Sequence, residues 1–293
     1  MTMDNKMKKF LLCVLVVCGL AACEKKEVTD DLLSVEAGLP SSATRTALGN
    51  KTGDAWPLLW SAGDCLMLNG VQSTVLSASE AGGPSATFRF AGVGGASVWN
   101  YTYCGVAGSD CTVVFPAAQS SGDGNIALQT LPMYAATSSV SGITLSPLGA
   151  VLRFSFTSAS AVTLDRIQIT AIGGEPVCGN YSIGKNGAGL LNGAISASGN
   201  NRDNIVVSAS TALSSSGKPF CAVVPAGTYQ SGFKALVTAS GGRTMEVWFN
   251  TKSDKTLSAG TLYDFGTAEF VATGSVEMSV MGTESFTVDT VSY

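Results

Sequence analysis

The feature that most constrains this chain is the alternation of its apolar residues in short runs, each cut off by turn residues. Ala86, Phe88 and Phe90 are separated by Thr87 and Arg89, the period of two that lets a strand bury one face and wet the other. Trp60-Ser61-Ala62-Gly63-Asp64 is a turn sequence ahead of Cys65-Leu66-Met67-Leu68. Asn69-Gly70, both tolerant of positive φ, signals a two-residue hairpin with Val71, Ser73 and Val75 on the return strand. Further runs occur at 98–106 and 112–115. The idiom returns at 151–156, 162–170, 181–183, 204–208, 220–224, 233–238, 245–249 and 261–270. Charged residues are only 13% of the chain and strong helix formers are sparse, so nothing competes with strand formation. Many short strands at fairly even spacing predict an all-β protein of stacked antiparallel sandwiches. A Ser/Thr-rich connection near Ser141 divides it into two β-sandwich domains in tandem, 51–141 and 142–270.

The amino terminus fixes a different property. Lys8 and Lys9 precede an apolar stretch too short to span a bilayer, and small residues then lead to a cysteine, the layout of a cleaved export signal over residues 1–22. Leu20-Ala21-Ala22-Cys23 resembles a bacterial lipobox. The Cys23 thiol would take a diacylglyceryl group and the new amino terminus an acyl chain of the palmitate kind. The competing reading is an ordinary secretory peptide cut beside a cysteine. Three acyl chains, at about 0.8 kcal/mol per buried methylene, hold a protein on a membrane with no further segment needed, and no later apolar run reaches about 18 residues. Losing residues 1–22 removes Lys6, Lys8, Lys9 and Asp4, which leaves 14 basic and 20 acidic residues and a formal charge of −6. That balance, without a clustered basic surface, argues against nucleic acid as a partner. Residues 23–50 read as a solvated tether and leader. Within it Arg45, followed by Thr46, is either a protease site in an extended segment or a polar residue on an edge strand.

Chemistry is sparse. The sequence has no histidine, which rules out a Ser-His-Asp triad, and no Cys-x-x-Cys, so we expect neither a metal nor a cofactor, and no enzyme activity. Gly122-Asp123-Gly124-Asn125-Ile126-Ala127 fits a dinucleotide pattern only formally, since no helix follows it. Scattered carboxylates nominate no glycosidase pair, leaving a β-sandwich glycoside hydrolase a distant reading. Trp99, Tyr101, Tyr103 and Trp248 are either a sugar-stacking platform or core. Five cysteines remain after Cys23: Cys65, Cys104, Cys111, Cys178 and Cys221. Cys104 and Cys111 flank a hairpin loop, compatible with a local disulfide or with buried thiols. Beyond Phe270 the tail 271–293 alternates twice more, at Val276, Met278 and Val280 and at Phe286, Val288 and Thr290, as strands of the second sandwich or as strands offered elsewhere.

Taken in order, the lipobox, Thr44-Arg45-Thr46, Trp60-Ser61-Ala62-Gly63-Asp64, Phe115-Pro116-Ala117-Ala118-Gln119, Leu131-Pro132-Met133-Tyr134-Ala135, Leu148-Gly149-Ala150-Val151-Leu152 and Gly179-Asn180-Tyr181-Ser182-Ile183 resemble the fimbrillin-type lipoproteins of anaerobic gut and oral bacteria. The resemblance runs through nearly the whole chain. It implies two transthyretin-like sandwiches, a lipid anchor in the cell outer membrane, and assembly with other fimbrial subunits into surface fimbriae that support adhesion to a host or bacterial surface. It also implies that an arginine-specific protease cuts between Arg45 and Thr46, removing the leader and its first strand. Donor strands carrying Val276, Met278, Val280, Phe286 and Val288 would then fill a neighbour's groove. Stalk, tip and anchor positions all fit this expectation, and Asp289-Thr290-Val291 resembles an O-glycosylation signal of these bacteria. The alternative function is a surface glycan-binding lipoprotein on the same sandwiches.

Overall fold

In a computed structural model of the chain, the residues described are 32–39, 58–121, 130–140, 142–249 and 253–285. Among them the regular structure is β apart from one 3-10 turn at Ser240–Gly242, with no α-helix. In the first sheet, β1 (Leu33–Gly38) lies between β4 (Ser85–Phe90), to which it is antiparallel, and β9 (Ile143–Thr144), to which it is parallel. A second sheet runs in the order β10 (Ser146–Pro147), β8 (Met133–Thr137), β5 (Trp99–Tyr103), β2 (Met67–Leu68) and β3 (Val71–Gln72). Their inward side chains meet in one core around Trp60, Phe88, Phe90, Tyr101 and Met133. Asn69 and Gly70 make the expected turn, with φ of 48° and 83°. The return strand is shorter than the alternation suggests. It stops at Gln72, because the Ser73 hydroxyl turns inward to accept the Leu66 N–H, while Val71 and Val75 remain exposed.

A second core belongs to two more sheets. One is β16 (Lys218–Pro225), β11 (Gly149–Thr157), β21 (Thr261–Glu269) and β23 (Gly282–Ser285). The other is β22 (Ser275–Met278), β19 (Arg243–Phe249), β18 (Phe233–Ala239), β12 (Thr163–Ala171), β15 (Asn204–Ala212) and β7 (Ala118–Ser120). Phe154, Phe249 and Phe265 chain together at ring separations of 5.3 and 4.8 Å, within the range of favourable aromatic pairs. Two small sheets complete the fold: β14 (Leu191–Arg202) with β13 (Cys178–Lys185) and β6 (Thr112–Phe115), and β17 (Gly227–Tyr229) with β20 (Lys255–Leu257).

Among the described residues most pairings are antiparallel, as expected, and some sheets also take a parallel strand. Four pairings are parallel: β1 with β9, β11 with β21, β15 with β7, and β19 with β22. Each joins strands far apart in sequence, where no hairpin forces reversal. Two of the first-half strands reach across: β6 pairs with β13 and β7 with β15, and Val151, Tyr181, Val223 and Leu262 contribute to the first core. Two cores therefore share one compact unit from Leu32 onward.

Candidate functional site

The site with the most distinctive construction surrounds β1. Val35 and Ala37 are buried, and Leu39 continues the same alternation into the core, while Ser34 and Glu36 face solvent. Burying a valine or leucine side chain contributes about 1.5–3 kcal/mol, so Val35 and Leu39 are the main apolar anchors of this strand. Backbone bonds tie its exit on both sides: the Leu39 N–H donates to the Pro84 carbonyl at 2.8 Å, and the Leu145 N–H donates to the Gly38 carbonyl at 3.0 Å. The strand is thus held by a short parallel neighbour, an antiparallel neighbour and two or three side-chain anchors. Arg45 lies six positions beyond Leu39 in sequence.

The turn Trp60-Ser61-Ala62-Gly63-Asp64 is organised around this strand. The buried Trp60 indole N–H donates to the Ala37 carbonyl at 3.0 Å, and its ring packs edge-on against Phe88 at 4.8 Å and Tyr103 at 5.5 Å. Asp64 closes the turn by accepting the Ser61 N–H at 2.7 Å, and its other oxygen accepts the Tyr103 hydroxyl at 2.7 Å. Gly63 has φ of 91°, a left-handed conformation that a side chain would strain. The motif therefore connects β1, β5 and the turn in one hydrogen-bonded unit. Sequence alone marked this stretch as a turn; the reach of Trp60 to Ala37, 23 residues earlier, left no local signal.

The tail has an intrachain place. Val276 aligns with Val247 and Met278 with Phe249, so β22 extends the six-stranded sheet; Met278 is buried and Val276 and Val280 pack against the second core. β23 pairs antiparallel with β21. Val276 and Met278 therefore occupy their own chain's sheet in this conformation and Val280 packs just beyond it, where the donor expectation had all three filling a neighbour's groove. Cys23, Arg45, Thr46, Phe286, Val288 and the Asp289-Thr290-Val291 triplet lie outside the described residues, as does Ser141 at the expected junction.

The aromatic platform does not assemble. Trp99, Tyr101 and Tyr103 are buried in the first core, and Trp248, half-buried on another sheet, has the Lys234 ammonium 6.0 Å from its ring centroid. Cys104 is not bonded to Cys111, and all five cysteines are thiols. The hairpin register explains this: the Val114 N–H donates to the Cys104 carbonyl and Gly105 bridges Val113, so Cys111 lies further along, next to the turn. Cys178 and Cys221 are buried, and burial pushes the Cys221 thiol up to about 12. Among the described residues no group of cysteines and carboxylates is arranged to hold a metal ion.

No family model matches the sequence, and no curated protein matches it. Among solved structures, the chain is similar to a "putative cell adhesion protein" from Bacteroides ovatus, at 11% identity and a TM-score of 0.49 over 89% of this chain and 99% of that one. It is similar to another so described from Bacteroides uniformis, at 16% identity and a TM-score of 0.47 over 87% of this chain and 99% of that one. It is similar, too, to the tip fimbrial protein Mfa3 from Porphyromonas gingivalis with C-terminal truncation, at 10% identity and a TM-score of 0.39, covering 86% and 97%.

Proposed function

We propose that this chain is a non-catalytic structural subunit of cell-surface fimbriae, anchored in the outer membrane through Cys23 and assembled by strand exchange, with adhesion as its downstream role. The observation that carries the reading is β1. It is a short strand with buried Val35 and Ala37, flanked on both edges, and it precedes Arg45 in sequence. Cutting between Arg45 and Thr46 would break its covalent link to the body and turn an intramolecular contact into a bimolecular one. A strand of a neighbouring subunit, held at high effective concentration, could then take its place. Main-chain bonds to β4 and β9 would give affinity, and alternate apolar side chains would fill the pockets of Val35 and Ala37. Since Val276 and Met278 fill their own sheet, Phe286 and Val288 are the donor residues we favour: they are spaced two apart, as Val35 and Ala37 are.

The test is cleavage of the purified full chain with an arginine-specific protease, followed by mass spectrometry and by gels without reductant. We expect a cut after Arg45, loss of the fragment carrying β1, and a ladder of multimers that an Arg45→Ala chain does not form. A cut chain that keeps its fragment and stays monomeric overturns the reading.

A further inference from the structure

We propose that β14 is a surface for strand addition and that its occupant is a second copy of this chain, joined to the first edge to edge about a two-fold axis. Among the described residues β14 ends its sheet, which runs in the order β14, β13, β6, so its outer edge has no strand beside it. It is 12 residues long, and from Leu191 to Asn201 it holds neither a charge nor a proline, two of the devices that blunt an exposed edge. The other end strands of the described sheets are guarded. Each spans four residues or fewer except β4, which carries Arg89, and β16, which the side chains of Gln119 and Ser121 close.

The neighbouring strands fix which peptide groups β14 offers. The Ile183 N–H donates to the Cys111 carbonyl at 2.7 Å, so Ile183 turns its peptide groups toward β6 and away from β14. Ile195, opposite Ile183, is then at a non-hydrogen-bonded position of the β13–β14 pair, and its N–H and C=O point outward. Alternation gives the same for Ala197, opposite Tyr181. On either side of these residues the register shifts, and the Ala194 and Gly199 N–H groups donate to the side chains of Asn192 and Asn201. The edge open to pairing is therefore Ile195-Ser196-Ala197.

That edge is complementary to itself. Residues 192–200 read Asn-Gly-Ala-Ile-Ser-Ala-Ser-Gly-Asn, nearly the same in both directions about Ser196. Two copies running antiparallel with Ser196 on the axis set Ile195 of each opposite Ala197 of the other, so outward peptide groups meet and make about four main-chain bonds. A charge at the central position would meet its own like across the axis, and Ser196 has none. Ile195 and Ala197 share the face of Tyr181 and Ile183, which belongs to the first core. Pairing therefore continues the sheet of one copy into that of the other with both cores on the same side. So short an edge makes the association reversible and dependent on concentration.

The purified full chain, uncut by protease, would be followed by analytical ultracentrifugation over a range of concentrations. We expect a monomer–dimer equilibrium in the parent and loss of the dimer in Ser196→Lys, a change at an exposed position that sets two like charges face to face. Ser196→Cys places two sulfurs on residues whose Cα atoms are about 4.5 Å apart, within the span of a disulfide. After treatment with oxidised glutathione its tryptic peptide 186–202, which has no cysteine in the parent, should be recovered joined to a second copy of itself and should separate on reduction. Ser198→Cys, facing Ala194 of the other copy, should not link in this way. A parent that is monomeric at every concentration overturns the proposal, as does equal linking by the two cysteine variants or a dimer that Ser196→Lys leaves intact.

Discussion

The side-chain amide of Gln119 holds the backbone of Val223, 104 residues away, as a neighbouring strand would. Its Oε1 accepts the Val223 N–H and its Nε2 donates to the Val223 carbonyl, each at 2.8 Å, while the Ser121 hydroxyl accepts the Cys221 N–H at 2.8 Å. Within its sheet β16 pairs with β11 on one side, so these side chains close the other edge, where unpaired peptide groups would otherwise be buried or would template aggregation. Gln119→Ala leaves two buried peptide groups without their partner. It should lower unfolding free energy by about 2–4 kcal/mol, two bonds at roughly 1–3 kcal/mol less partial rescue by water. Denaturant unfolding with an unchanged m-value checks this; a loss below about 0.5 kcal/mol would show that the edge is satisfied otherwise.

Acid should loosen the Ser77 turn. The Glu80 carboxylate accepts the Ser77 N–H at 3.0 Å and pairs with Arg89 and the Ser77 hydroxyl, which together hold it down at about 2. A carboxyl group with a depressed folded value contributes stability that is complete above its unfolded value, 4.5 here, and is lost as pH falls toward about 2. Asp110 behaves alike: burial raises its value, but the hydrogen bond and charge of Lys185 outweigh this and leave it low. NMR titration of the side-chain carboxyls should give Glu80 a midpoint near 2, moved upward in Arg89→Ala. A midpoint near 4.5 in the parent would mean the turn is not closed.

What the sequence made legible was local. The Asn69-Gly70 turn and the alternation of Ala86, Phe88 and Phe90 depend on neighbouring residues alone, and both are present. The long strand β14 gave no signal, since Leu191–Arg202 is largely Gly, Asn, Ser and Ala and much of it is exposed. Its position comes from pairing with β13, a tertiary choice that overrides propensity. The same holds for the parallel pairings and for the reach of Trp60 and Gln119: each joins residues whose sequence separation carries no periodic mark. The position of β1 at the centre of its sheet, the basis of the candidate site, carried no mark in residues 23–50 themselves, which read as a solvated tether; only the family resemblance implied a first strand there.

The tyrosines predict the alkaline limit. Tyr101 is buried without a charged partner and is pushed up to about 12, and burial drives Tyr103, Tyr181 and Tyr229 higher still. Since an unfolded tyrosine ionises near 10, raising the pH above 10 stabilises the unfolded chain, and folding stability falls across the interval from there to about 12 and beyond. The tyrosinate absorbance of Tyr101, Tyr103, Tyr181 and Tyr229 should therefore appear only above pH 10, together with loss of near-UV dichroism. A single smooth titration of all tyrosines with the fold intact would contradict this burial.

Trp60→Phe separates the tether on β1 from the packing around it. The smaller ring keeps much of the edge-on contact with Phe88 and Tyr103 but has no N–H for the Ala37 carbonyl. The lost buried bond should cost about 1–3 kcal/mol. The effect should concentrate in β1: hydrogen exchange of its amides should quicken more than that of β12 or β18. Equal acceleration everywhere would assign Trp60 to general core packing.

Met278 decides where the tail belongs. In its present place the side chain is buried against the second core, opposite Phe249 in register, and β22 covers the open edge of β19. If that docking holds in the isolated subunit, Met278→Ala should destabilise the chain by about 2–5 kcal/mol, the cost of a buried methionine truncated to alanine. Its unfolding should remain a single transition. If β22 were instead a loosely held donor, the same substitution would leave unfolding of the monomer unchanged and weaken only the multimers formed after cleavage at Arg45. Phe286→Ala is the companion measurement, expected to spare the monomer and reduce multimer yield. A reversal of the two phenotypes would move the donor role back to β22, which would then have to leave its own sheet at the cost of that buried contact before it could serve a neighbour.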